Sequence, residues 1–275
     1  MSTPLSSTVL KAVQLIELLS EQSEPLSVSE CATALGMPRA TVHRLLSTLG
    51  EAGIVVRAEG HGRYELGLRL LEVGSLAPLR RKLGAVSRMP LKKVTELTGH
   101  QAHLGVRSGL RLLFLESVRG TRTNLPTSVG QTGWLHATAM GKVLLAYGPP
   151  HVLDEIIDTG LPRLTASTIT DGATLRAEIA RVQADGYAYD HHEGRNEVHC
   201  LAAPIRAPSG DLLAAVSVTV LADRQDRAMR AYLAPLRSAV DDIETRLQHP
   251  TDTTPPRVTP LHTHRPPIPT NATAS

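Results

Sequence analysis

Apolar residues recur along this chain in helical and alternating rhythms, and their order predicts a helical module followed by a mixed one. Val9, Val13, Ile16 and Leu19 fall at helical spacing and predict a first helix over residues 9–20, packing under two others. Residues 27–53 read as two helices joined by a tight turn. Ser27 and Glu30 have the spacing of a capping box, in which the hydroxyl accepts the N–H three residues on and the carboxylate reaches back. Cys31, Ala32 and Leu35 continue that helix, and Gly36 supplies the left-handed backbone its end needs. Pro38 restarts a helix as its first residue, where no N–H partner is lost. In it Val42, Leu45, Leu46 and Leu49 lie at i, i+3, i+4 and i+7 and form one buried stripe. Residues 54–57 and 63–66 predict a β-hairpin around Glu59-Gly60-His61-Gly62, with Arg57, His61 and Arg63 flanking its glycines.

Leu68, Leu71 and Leu76 predict a linker helix over residues 67–81 that Pro78 kinks or ends. Beyond Gly84 come a helix over 86–97 ended by Gly99, and strands 101–107 and 111–118 joined through Gly109. Residues 119–132 form a long polar loop of the kind that carries function. Helices follow over 136–147 and 152–158, then one opened by Thr170 and Asp171, with Leu175, Ile179 and Val182 on one face and Gly186 at its end. Strands 187–191, 198–206 and 212–221 come next, the last two joined by the turn Ala207-Pro208-Ser209-Gly210, and a closing amphipathic helix spans 224–248. The fold class expected is α+β. A winged helix-turn-helix occupies residues 8–66, a linker helix 67–83, and a sensor-like antiparallel sheet with flanking helices 84–248. The Pro-, Thr- and His-rich residues 249–275 are expected to be disordered.

A length of 275 residues with 41% hydrophobic content suits two domains, each with its own core. The net charge is only +3, with a pI near 9.0, so any nucleic-acid affinity must come from a local patch. The second helix of residues 27–53 supplies one, because its polar face carries Arg39, Thr41, His43, Arg44, Ser47 and Thr48 and no carboxylate. Such a face suits a phosphate-lined major groove. Arg39, Thr41, His43 and Arg44, with Ala40 among them, are candidates for base edges and adjoining phosphates. Ser47, Arg57 and Arg63 are candidates for phosphate contacts, the last two from the wing. The competing reading is a plain helical hairpin with a solvated face. Aromatic residues, at 3%, are too sparse for a single-strand stacking platform. Cys31 and Cys200 give neither a disulfide framework nor metal-ligand spacing, which fits a cytoplasmic protein without metal or cofactor. No apolar run approaches the ~20 residues needed to span a bilayer.

Ser217 and Thr219 stand two apart on one strand and so share a face that is otherwise apolar. They need partners there, either neighbouring backbone or a bound acid or alcohol. An enzyme would draw on Cys200 as nucleophile with His199 or His136 as base. His199 points to the opposite face, however, and no Gly-x-Ser-x-Gly elbow is present. A metal site from Asp190, His191, His192 and His199 is set against solvated histidines that diverge along the strand.

The segments GMPRATVHRLLSTLGEAG (36–53), YELGLRLLEVGS (64–75), LHATAMGKVLLA (135–146), LPRLTASTITDGATLRAEIARVQADGYAYD (161–190) and CLAAPIRAPSGDLLAAVSVT (200–219) resemble the IclR family of bacterial transcription factors. The resemblance runs in unbroken order over residues 8–248. It implies a winged-helix domain, a linker helix and a GAF-like effector domain, assembled as homodimers or dimers of dimers on double-stranded operators, as repressor or activator. It also implies an effector pocket formed by the backbone around Ala139 and Met140 and by the side chains of Asp190, Cys200, Ser217 and Thr219. Family effectors are mostly small carboxylates and aromatic acids. For such an anion Asp190 is adverse unless protonated or otherwise hydrogen-bonded. Two departures fall near this pocket: Trp134 where the family has Pro, and Glu197 where it has Gly.

Overall fold

The computed structural model describes residues 5–59, 62–221 and 226–249, so His61 of the expected wing tip and the expected tail beyond 249 lie outside the described residues. The chain divides into two compact units, residues 1–85 and 86–275. In the first, helices α1 (Ser7–Ser20), α2 (Val28–Leu35) and α3 (Arg39–Glu51) combine with short strands β1 (Leu26–Ser27), β2 (Val55–Arg57) and β3 (Arg63–Leu66). The strands form a sheet in the order β1-β3-β2. Both halves of the capping box are present, with Glu30 N–H on Ser27 Oγ and Ser27 N–H on Glu30 Oε2, and Gly36 closes α2 at φ 62°. Pro38 is the residue before the first turn of α3 rather than its first member.

The core of this unit is Leu15, Leu19, Cys31, Val42, Leu45, Leu46, Val55 and Tyr64. That corrects the stripe expected on α1. Leu15 and Leu19 are buried, whereas Val9 and Val13 are 61% and 44% exposed. The helix carries two apolar stripes, and the core takes the one through Leu15. A second correction concerns the linker. The chain forms two helices there, α4 (Arg69–Ser75) and α5 (Pro78–Thr98). The break at Leu76 and Ala77 lies just before Pro78, because the residue preceding a proline disfavours helical backbone. Pro78 then opens α5, which continues through the separately expected helix at 86–97.

In the second unit β4 (Gln101–Ser108), β5 (Arg111–Val118), β6 (Thr132–Trp134), β7 (Ala188–His191), β8 (Val198–Arg206) and β9 (Leu212–Leu221) form a six-stranded sheet. Its order is β6-β5-β4-β9-β8-β7, and every pairing is antiparallel. Helices α6 (Ala139–Tyr147), α7 (Pro150–Thr159) and α8 (Gly172–Asp185) share a core with Leu112, Ala188, Ala202 and Ala215 of the sheet. Residues of β8 are buried on both faces, so α9 (Leu233–Gln248), which also packs on β8, covers the face opposite α6. A 3-10 segment, Asp226–Tyr232, precedes α9 in place of the first turns of the expected closing helix. Asp171 caps α8 by accepting from Thr174 N–H at 2.7 Å, and Gly186 ends it at φ 81°.

Candidate functional site

On α3 the buried stripe is Val42, Leu45 and Leu46, so the opposite face is presented to solvent. Arg39, Ala40, His43, Arg44 and Ser47 are exposed and Thr41 is half-buried. Neither Arg39 nor Arg44 has an ion-pair partner among the described residues. Arg57 is exposed on the wing and donates from Nε to Tyr64 Oη at 3.1 Å. Arg63 is placed differently. Its guanidinium donates to Glu30 Oε1 at 3.0 Å and to the Pro25 carbonyl at 2.7 Å, which ties β3 to the start of α2. Glu30 therefore serves both the capping box and the wing. Its carboxyl is held below the ordinary range, chiefly by the Ser27 hydroxyl and backbone, then by Arg63.

The second unit holds a cavity of about 240 Å³ between the sheet and the start of α6, lined by Ala139, Met140, Asp190, Cys200, Ser217 and Thr219 together. The register explains the convergence. Asp190 on β7 lies opposite Cys200 on β8, which lies opposite Thr219 on β9, so the three form one row across the sheet. Two residues along β9 and on the same face, Ser217 lies opposite His103 on β4. Thr138, not His136, caps α6. Its Oγ1 accepts from Gly141 N–H at 3.1 Å and donates to the Trp134 carbonyl at 2.7 Å. His136 is buried in the turn before, with Nε2 3.1 Å from the Pro162 carbonyl oxygen. The N–H groups of Ala139 and Met140 sit in the first turn, where no preceding carbonyl of the helix can accept them, and both residues line the cavity.

Apolar walls come from Leu112, Phe114, Met140 and Val198, and Trp134 also borders the space. Trp134 is held by Arg111, whose guanidinium carbon is 3.7 Å from the indole centroid. The sequence did not single out His103, Phe114 or Arg195 on this wall. Burial, then the charge of nearby Glu193, push the Asp190 carboxyl up to about 7, despite the Glu193 N–H that donates to Oδ1 at 2.7 Å. Glu193 in turn accepts from Lys142 Nζ at 2.6 Å, and the same ammonium reaches Glu178 at 2.9 Å. Lys142 is only 1% exposed, so a charged cluster lies behind the wall that Asp190 forms.

Cys200 lacks the surroundings of a nucleophile. Burial and then the Asp190 charge push its thiol pKa up, and His199 pairs in the neighbouring row with His191 and Val220. The expectation that the histidines here are solvated holds for His191, which is exposed, and is corrected at His199. His199 is buried, and the His192 ring lies 3.6 Å from it between centroids. Among the described residues no group of three or more His, Cys, Asp or Glu is disposed to hold a metal, and no helix is long and apolar enough to cross a membrane.

A helix-turn-helix with an exposed polar face, on one chain with a second unit that holds a cavity lined by both polar and apolar groups, defines a DNA-binding transcriptional regulator with a ligand-binding domain. Two family models match in order: the IclR helix-turn-helix domain over residues 8–59 and the bacterial transcriptional regulator IclR C-terminal domain over 79–245. The chain belongs to the IclR family. It is 33% identical over 213 residues to the transcriptional regulator BhcR of Paracoccus denitrificans, covering 76% of this chain and 75% of that one. Its fold matches the crystal structure of an IclR transcriptional regulator from a Silicibacter species, with TM-score 0.78, 32% identity and coverage of 88% and 96% of the two chains. It also matches an IclR homologue from Microbacterium hydrocarbonoxydans in complex with 4-hydroxybenzoate, with TM-score 0.79, 26% identity and coverage of 88% and 99%.

Proposed function

We propose that this regulator is a cytoplasmic, non-enzymatic homodimer or dimer of dimers whose operator affinity changes when a small carboxylate, of the aromatic-acid kind, fills the cavity beside α6. The observation that carries this reading is the convergence of residues from α6, β7, β8 and β9 on one cavity at a helix N-terminus. The carboxylate lies on the N–H groups of Ala139 and Met140, where the helix dipole favours negative charge. The apolar body lies against Phe114 and Met140, and Ser217 and Thr219 supply polar contacts. Operator contacts come from Arg39, Ala40, Thr41, His43 and Arg44, with Ser47 and Arg57 on phosphates. Arg63 has the role of fixing the wing. Self-association is supported by the apolar side chains left exposed on the first unit, with Val9 at 61% and Leu68, Leu71 and Leu76 at 79%, 65% and 61%.

The 4-hydroxybenzoate of the Microbacterium complex is the first probe. Calorimetric titration of the full chain is expected to show binding, and mobility shifts with selected duplex DNA are expected to change when it is added. No binding by 4-hydroxybenzoate, benzoate or other small aromatic acids would overturn the proposal.

The charge of Asp190 gives this binding a pH signature. With its carboxyl titrating near 7, an anion meets a neutral wall below that pH and a negative one above it. Affinity is therefore expected to fall as pH rises through about 7, by up to roughly tenfold per unit, and Asp190→Asn is expected to flatten the profile. Stability follows the same sign. The folded state keeps this proton to higher pH than the unfolded chain, so the group's contribution is present in acid and lost as pH rises from the ordinary carboxylate range through about 7. The melting-temperature advantage of Asp190→Asn over the parent should accordingly widen from pH 5 to pH 8.

A further inference from the structure

His103 lines the effector cavity from β4 and is 2% exposed. Its ring is held from two sides. Nδ1 lies 3.3 Å from Thr219 Oγ1, and Phe114 meets the imidazole edge-on with centroids 5.4 Å apart. The other nitrogen, Nε2, is buried and has no hydrogen-bond partner among the described residues. Buried polar atoms of this kind are paired as a rule, and one without a partner on a residue that lines a ligand cavity points to the ligand as its partner.

Local hydrogen bonding decides what Nε2 offers. Burial pulls the imidazole pKa down to about 4, so near neutral pH the ring is uncharged and carries a single N–H. Thr219 Oγ1 sits between His103 Nδ1 and Cys200 Sγ, the latter at 3.4 Å. An imidazole nitrogen is a strong acceptor and sulfur a weak one, so the Thr219 hydroxyl donates to Nδ1. The Cys200 thiol, kept protonated by burial, donates to Thr219 Oγ1. The relay runs from Cys200 S–H through Thr219 O–H to His103 Nδ1 and leaves the ring proton on Nε2.

We infer that His103 is a specificity-determining residue whose Nε2–H donates to a second acceptor oxygen of the effector, distinct from the carboxylate held at α6. The inference rests on that carboxylate anchoring. An acid bearing a carbonyl or similar oxygen at this point completes the pair, and an analogue with a methyl group there leaves the N–H buried and unsatisfied. Sites built to hydrogen-bond a substrate group discriminate strongly against analogues that lack it.

The test is calorimetric titration of the full chain with benzoate, with 3- and 4-formylbenzoate, and with the matching methylbenzoates, whose methyl group replaces the acceptor. For at least one isomer the formyl acid is expected to bind tenfold or more tighter than its methyl counterpart. In His103→Phe, which keeps a ring against Phe114, that ratio falls to about one, and in His103→Gln, which restores an N–H donor, part of it returns. Should His103→Phe fail to fold, His103→Asn provides the comparison, since its shorter amide cannot reach and the ratio is again expected near one. Benzoate binding without any formyl preference, or a preference that survives both Phe and Asn, overturns the role of His103. Failure of every acid, benzoate included, overturns the carboxylate-anchored reading and this inference with it.

Discussion

Replacing Arg44 by alanine is expected to abolish the mobility shift of a duplex enriched with the parent protein, while the melting temperature and the response to 4-hydroxybenzoate stay unchanged. Arg44 is exposed on the polar side of α3, opposite Val42, Leu45 and Leu46, so its loss removes no packing. A bidentate arginine–guanine pair contributes about 1–3 kcal/mol of discrimination, and a symmetric dimer loses it in both half-sites. The combined loss is on the order of a hundredfold or more in affinity. Arg57→Ala differs in kind. Loss of a phosphate contact weakens binding to all sequences alike and lowers the salt slope by roughly 0.9 for each contact removed. Arg63→Ala adds a third pattern, in which the bonds to Glu30 and Pro25 are lost and the wing is released from α2. If Arg44→Ala shifts the duplex as the parent does, α3 is not the recognition helix.

The parts of this molecule legible in the sequence are those whose signals are local. The capping box at Ser27 and Glu30, the left-handed Gly36 and the Asp171 cap each act within one turn of helix, and each is found where the spacing placed it. Strands β8 and β9 were legible to the residue, because a buried sheet element bounded by a Pro-Ser-Gly turn leaves little latitude. What the sequence hid depends on partners far along the chain. Which apolar stripe of α1 is buried depends on α2, α3 and β3, so Val9 and Val13 were misassigned. Arg63 reads as a basic wing residue until Glu30, 33 positions earlier, is seen to hold it. The pocket was legible in part. Period-two spacing put Ser217 and Thr219 on one face, but their union with Ala139, Met140, Asp190 and Cys200 came only from resemblance to a family. His103 gave no signal at all, since a lone histidine in a strand looks like any other core residue. The register that sets it opposite Ser217 is a property of the folded sheet.

Lys142 is the extreme of that long-range kind, and its replacement by methionine is expected to be among the most destabilising single changes in the second unit. In sequence it is one lysine in the apolar run of α6; in the structure it is fully enclosed, joined to Glu178 and Glu193, residues 36 and 51 positions away. Burial raises the Glu178 carboxyl pKa, but hydrogen bonds from Arg181 and Lys142 outweigh it and hold the group below its usual range. Removing Lys142 leaves Arg181 to serve Glu178, while Glu193 stays buried with no cation and with Asp190 close by. Breaking a buried pair in this way costs about 3–5 kcal/mol, a large share of a domain's total stability. For a unit of this size the melting temperature should fall by roughly 10 °C. The double variant Lys142→Met, Glu193→Gln removes both charges together, so it should recover much of the loss, and a double-mutant cycle isolates the coupling. Lys142 also lowers the Asp190 carboxyl pKa and Glu193 raises it, so the single variant should move the fall in aromatic-acid affinity to higher pH, and the double variant should move it back down. Chemical denaturation of the full chain reads the first effect and titration the second. A Lys142→Met protein as stable as its parent would mean that the cluster supports neither the fold nor the cavity wall.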